Sequence, residues 1–330
     1  MREKLNNYLE FMLFDSDLEP SGLPDGMVFL EGEKLLLLEE KEKKLKELFT
    51  AKGYKKVVPP AFEYYETYEK AGGEQVARRS FSFKDKDGKL LSLRFDMTTP
   101  IARMVAHRYK NVKRLKFYYC GNVYREQPFH KGKLRQIRQT GIEFIGENSF
   151  AAELEVIEIF RDSLSLLSDN YVIVIGDVRP YKKILEKLNL GETKTKAVEK
   201  IFNRKDLTSL EILLRDIDSE EKDKEYLINL INFTGKPEIL RKELKDKFPE
   251  DICSIMEDFF GLYDRLSILT KDKIIFDFAM IKDFSYYSSL TMEGYIEGKG
   301  YAVGSGGRYD ELFKRFECDL PAIGFAIQLD

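Results

Sequence analysis

The stretch from Phe117 to Gly146, FYYCGNVYREQPFHKGKLRQIRQTGIEFIG, constrains this chain more than any other. Two β-prone arms, Phe117 to Arg125 and Arg135 to Ile145, flank a charged loop that contains Glu126, Gln127, Pro128, Lys131, Gly132 and Lys133. Such arms pair antiparallel, and alternation in the second puts Gln139, Gly141 and Glu143 on one face of a strand. An ordinary pair with one solvated face would also carry Arg and Gln. A glycine inside a strand weakens it, so Gly141 implies that something approaches the backbone closely there. A small ligand is the expected occupant, and the arms are expected to form a binding site built into a sheet.

Around this hairpin the chain alternates between helical and strand-like text. Glu33 to Ala51 is a Lys, Glu and Leu-rich helical run, followed by Gly53-Tyr54 and a short strand Val57-Val58 closed by Pro59 and Pro60. Ala151 to Leu167 repeats apolar residues at Leu154, Ile157, Phe160 and Leu164, a helix with a buried stripe. Tyr171 to Ile175 is a strand that ends at Gly176-Asp177, and Ile274 to Met280 is another. Between them lie short Leu/Ile-rich and Lys/Glu-rich helical pieces, broken near Pro237 and Pro249. The expected organisation is a lead-in over 1–25, a core over 26–178, a helical insertion over 179–271 and a return to the core over 272–330.

The order Gly121, Arg125, Glu126, Pro128, Gly132, Arg135, Gln139, Gly141, Glu143 resembles motif 2 of the class II aminoacyl-tRNA synthetases, in its histidyl version. The helix, strand and prolines from Glu33 to Pro60 are similar to motif 1, through which such cores dimerise. Leu91 to Pro100 resembles the segment whose Arg-Pro-Glu-Gly-Thr touches the amino acid. Phe284-Ser285-Tyr286-Tyr287 resembles the histidine-specific Leu-Asp-Tyr-Tyr motif. Gly304-Ser305-Gly306-Gly307-Arg308-Tyr309-Asp310 and Pro321 to Ile327 resemble the Gly-Gly-Arg-Tyr-Asp element and the start of motif 3. The resemblance implies an α+β class II synthetase-like core: a mainly antiparallel sheet of six or seven strands, flanked by helices, with its open face towards the ligand.

Departures from the synthetase pattern point to a related group. Asp96-Met97-Thr98 stands where the synthetase has Glu-Gly-Thr, while Lys282-Asp283 and Ser285 replace an Arg-Gly pair and an Asp. Lysine cannot reproduce the bidentate fork of arginine. The sequence ends at Asp330, before the position of the motif 3 arginine that holds ATP and of the anticodon-binding domain. These features resemble the regulatory subunits of ATP phosphoribosyltransferase, synthetase paralogues that perform no aminoacylation. The resemblance implies a non-catalytic partner for the short-form catalytic subunit in the first step of histidine biosynthesis, a homodimer through the motif 1 region, and feedback control by L-histidine. It also implies a histidine pocket of Asp96, Thr98, Arg125, Gln139, Glu143, Tyr286 and Tyr287, although an effector site between subunits is also open. Gly306-Gly307-Arg308 is expected to be tight-turn structure.

Composition excludes several classes. No run approaches the roughly 18 consecutive apolar residues of a membrane span, and the N-terminus has no basic-then-apolar layout, so a cytoplasmic protein is expected. With only His107, His130 and three scattered cysteines, neither a zinc site nor a disulfide framework is expected, and no cofactor is implied. A net charge of −3 gives no overall attraction for nucleic acid. Two rival readings are an active histidine-adenylating enzyme and an RNA-binding module, the latter expected to bind with steep salt dependence.

Overall fold

The computed structural model describes residues 22–109, 113–126, 134–281 and 286–329. Most of the expected lead-in and the charged loop of the hairpin, 127–133, lie outside the described residues. The strands in chain order are β1 (Lys55–Lys56), β2 (Phe62–Tyr64), β3 (Ser82–Lys84), β4 (Leu90–Leu93), β5 (Leu115–Tyr124), β6 (Gln136–Ile145), β7 (Tyr171–Asp177), β8 (Thr234–Gly235), β9 (Ile274–Asp277), β10 (Leu290–Ile296), β11 (Gly304–Arg308) and β12 (Ala322–Gln328). Nine of them form one sheet in the order β1-β5-β6-β12-β11-β10-β7-β9-β8, and β2-β4-β3 form a second, small sheet. Every neighbouring pair from β5 across to β7 is antiparallel. The six central strands are the antiparallel core expected of this class. The sheet exceeds six or seven because β1 and β9 add to its flanks in parallel and the two-residue β8 caps the far edge.

Alternation along the hairpin sorts its side chains between two layers. Tyr118, Ile142 and Phe144 point into the larger core, with Ile173, Ile175 and Phe325. The Phe150–Ser165 helix covers this side, its N-terminus capped by Ser149, whose Oγ accepts from the Ala152 N–H at 3.4 Å. Of its expected stripe Ile157, Phe160 and Leu164 are fully buried, whereas Leu154 is only partly buried and Val156 is fully buried beside them. The Gly32–Ala51 helix adds Leu38, Leu45 and Phe49. On the opposite side Tyr119, Val123, Ile137 and Ile145 meet Ile101 and Val105 of the Thr98–Arg108 helix and Leu312 and Phe313 of the Asp310–Arg315 helix.

Between β7 and β9 the chain runs through seven helices from Arg179 to Lys271, interrupted only by β8 as a strand. Pro237 opens one helix and Pro249 caps the next, because a residue lacking an N–H loses nothing at a helix start.

Three local expectations shift. The strand at Val57–Val58 lies earlier, at Lys55–Lys56; the Val57 N–H still bonds the Tyr118 carbonyl at 2.9 Å. Beyond it Pro59 and Pro60 have no N–H to extend a ladder. Their carbonyls instead accept from Nη1 of buried Arg94 at 2.5 and 3.1 Å, while its Nε and Nη2 bond the Asn122 carbonyl at 2.9 and 2.6 Å. The strand expected to reach Met280 ends at Asp277, whose Oδ1 accepts from the Ala279 N–H at 3.0 Å and turns the chain. Gly306, Gly307 and Arg308 form strand rather than a tight turn. A side chain at Gly306 would strike the Gly324 carbonyl, and one at Gly307 would lie 2.8 Å from the Tyr287 ring.

Candidate functional site

The front face of β6 reads Ile137, Gln139, Gly141, Glu143, Ile145: apolar at both ends and polar between. Gln139 lies opposite Gly121 on β5 and Gln328 on β12, and Glu143 opposite Phe117 and Gly324. Over this polar stretch is a cavity of about 90 Å³ whose walls include all seven residues expected to form a pocket: Asp96, Thr98, Arg125, Gln139, Glu143, Tyr286 and Tyr287.

Each wall has a local reason for its place. Asp96 lies two residues before the first residue of the Thr98–Arg108 helix, and its carboxylate accepts from the Thr99 N–H at 2.6 Å and the Thr99 hydroxyl at 2.9 Å. It therefore satisfies a first-turn N–H of the helix with the same group that lines the cavity. Thr98 donates its hydroxyl to Glu143 Oε1 at 2.6 Å, joining that helix to β6. Arg125, just past the end of β5, donates Nε to the Phe95 carbonyl at 3.1 Å and lies over the Phe95 ring at 5.0 Å. The rings of Tyr286 and Tyr287 are 5.2 Å apart, and Tyr286 meets Tyr309 edge-on at 6.2 Å. Lys282, Asp283 and Ser285, where the sequence departs from the synthetase pattern, lie outside the described residues.

Burial governs the electrostatics. Desolvation pushes the Glu143 carboxyl up to about 8, against the opposing effect of hydroxyl bonds from Thr98 and Tyr309, and the nearby Asp96 adds to the rise. The Asp96 carboxyl is also raised, chiefly by burial. Burial pulls the Arg125 guanidinium down, while the charge of Asp96 opposes that shift. A ligand that brings its own ammonium and carboxylate would relieve both costs, because each buried charge would gain a partner.

One site feature was not read from the sequence, and a second was read with the wrong cause. Tyr309, grouped with a presumed turn, donates its hydroxyl to Glu143 Oε2 across 166 residues. Only the pairing of β11, β12 and β6 brings them together, so no local pattern could have shown it. Gly141 does admit a close approach, but by the protein itself: a β-carbon there would meet the Phe325 carbonyl and, at 2.6 Å, the Tyr119 hydroxyl. The glycine makes room for a neighbouring strand and a tyrosine, not for a ligand. Among the described residues no cluster of His, Cys, Asp or Glu could hold a metal ion, and no helix is long and apolar enough to cross a membrane.

The pattern of histidyl-tRNA synthetases matches residues 26–330, nearly the whole described fold. The chain belongs to the histidyl-tRNA synthetase family. Within that family it is 33% identical to the ATP phosphoribosyltransferase regulatory subunit of Caldanaerobacter subterraneus subsp. tengcongensis, over 93% of this chain and 81% of that one. It is 32% identical to the histidine–tRNA ligase of Methanocaldococcus jannaschii, over 88% of this chain and 69% of the ligase. A crystal structure from Bacillus halodurans, described as an ATP phosphoribosyltransferase regulatory subunit/histidyl-tRNA synthetase, superposes with a TM-score of 0.83 at 27% identity, covering 95% of this chain and 82% of the other. The family fold and the sheet described above therefore agree in architecture.

Proposed function

We propose that this chain is the regulatory subunit of an ATP phosphoribosyltransferase, required by a short-form catalytic subunit and carrying feedback control by L-histidine in the first step of histidine biosynthesis. The observation that carries the reading is similarity over nearly the full chain to relatives named as regulatory subunits, matched over 81% of their length. In this role it catalyses no reaction of its own, needs no cofactor and works in the cytoplasm.

The pocket is the proposed histidine site. Asp96 and Thr98 take the ammonium, Arg125 and Gln139 the carboxylate, and Glu143 with Tyr286 and Tyr287 the imidazole, whose ring matches aromatic walls and whose N–H needs an acceptor. A homodimer uses the motif 1 side, where Leu36, Leu37, Val58 and Phe62 are exposed.

The deciding experiment measures phosphoribosyl-ATP formation by a purified short-form catalytic subunit with and without this chain, then with added histidine. A rate that requires the chain and falls with histidine is expected. No change with an assembly-competent catalytic subunit would sink the reading, and ATP-dependent histidine adenylation by the chain alone would replace it.

A further inference from the structure

Among the described residues, Tyr287 is shared between the pocket and a groove that borders the insertion. Tyr287 lines the amino-acid cavity and also a groove of about 1020 Å³ between the core segment Gly72–Arg79 and the first two insertion helices, Arg179–Leu188 and Glu192–Arg204. Its main chain is held from the insertion side: Lys182 Nζ, on the first of those helices, donates to the Tyr287 carbonyl at 2.7 Å, across 105 residues. The Val178 N–H, just before the insertion, bonds the Ser289 carbonyl at 3.1 Å and continues the β7–β10 ladder up to the same loop. From there the contacts continue inward through Tyr287, Tyr286 and Tyr309 to Glu143. They continue outward through Tyr181, beside Lys182, whose ring packs on Phe202 at 4.9 Å.

We propose that Lys182 is a positioning residue that couples the amino-acid pocket to the insertion, so that a ligand filling the pocket resets the groove between insertion and core. The inference rests on the pocket reading above and adds to it how occupancy leaves the site. A ligand packed against Tyr286 and Tyr287 fixes the Tyr287 backbone. The Lys182 ammonium, bound to that backbone, then fixes the first insertion helix. Coupling of this kind is a difference in free energy between filled and empty states and must appear in both directions.

The test compares the unsubstituted chain with Lys182→Met and Lys182→Arg. Histidine binding is measured by calorimetry, and the added amide-exchange protection over 179–204 is measured on saturation with histidine. Lys182→Met is expected to bind histidine yet lose about fivefold or more of the transmitted protection, at the low end of allosteric coupling. Lys182→Arg, which keeps a donor, is expected to restore it. An unchanged transmitted protection in Lys182→Met would overturn the coupling. So would equal losses in both variants, which mark a merely structural role. If the unsubstituted chain binds no histidine, the pocket reading falls and the coupling with it; if it binds histidine without protecting 179–204, the coupling alone falls.

Discussion

Strands β5 and β6 present two unlike environments to the same fold. Behind them, Tyr118, Ile142 and Phe144 join a dry core centred on Phe160 and Phe325, whose rings lie 4.9 Å apart. In front, alternate residues of the same strands bury Gln139 and Glu143 beside Asp96. Glycines make the space on both sides. Gly294 and Gly304 leave room for the Phe160 ring behind, and Gly324 leaves room for the Glu143 carboxyl in front. The back is built so that filling it stabilises the fold. The front buries ionisable groups at a cost, and hydrogen bonds from Thr98, Thr99 and Tyr309 offset only part of it, since the Glu143 and Asp96 carboxyls remain raised.

The contrast should be broken most severely from behind. Phe160→Ala is expected to cost about 3–5 kcal/mol, measured by denaturant unfolding, because it empties the centre of the core. Next comes pH. The folded state holds the Glu143 proton up to about 8, against 4.5 for an ordinary glutamate, so this group's contribution to stability is complete below 4.5 and is lost as pH rises towards 8. The slope approaches about 1.4 kcal/mol per pH unit for one proton. Glu143→Gln should flatten it, although the raised Asp96 leaves a residual slope of the same sign. A paired substitution sharpens the comparison further: Gly304→Ala and Gly324→Ala each overpack the sheet by about 1–3 kcal/mol. Only the second, which drives a methyl into the Glu143 carboxyl, should abolish histidine binding in calorimetry. The smallest effect lies at the rim, where Arg138 bonds Glu42 at 2.5 and 3.1 Å with both side chains partly exposed. A double-mutant cycle there should return less than about 1 kcal/mol.

These faces differ in how well they can be read from sequence. The polar interruption of β6 is visible because strand alternation is local: Gln139, Gly141 and Glu143 share a face whatever pairs with them. The helical character of the insertion is visible locally too, from its Leu/Ile-rich and Lys/Glu-rich pieces and the breaks near Pro237 and Pro249. Depth of burial and long-range partners are not local. Tyr309 reaches Glu143 only after β11 and β12 pair, and the meaning of Gly141 depends on the Phe325 carbonyl of a strand far along the chain. The Gly306-Gly307 pair looked like a turn because glycine suits turns, whereas here it relieves crowding inside a sheet. Strands as short as β1 and β8 carry too few residues for any periodicity to register.

Those short strands have a consequence for how the molecule meets its neighbours in a crowded solution. A nine-stranded sheet with long open borders would template the addition of foreign strands. Here each edge strand is only two residues long: Lys55–Lys56, followed by Pro59 and Pro60, on one side, and Thr234–Gly235, followed by Lys236 and Pro237, on the other. Lysine and proline at a border discourage strand addition. Where β5 outruns β1, the Arg94 guanidinium already occupies the Asn122 carbonyl. The sheet therefore ends in borders that resist fibrillar growth, and replacing Pro59 and Pro60 with valine should increase thioflavin-positive aggregation on prolonged warming.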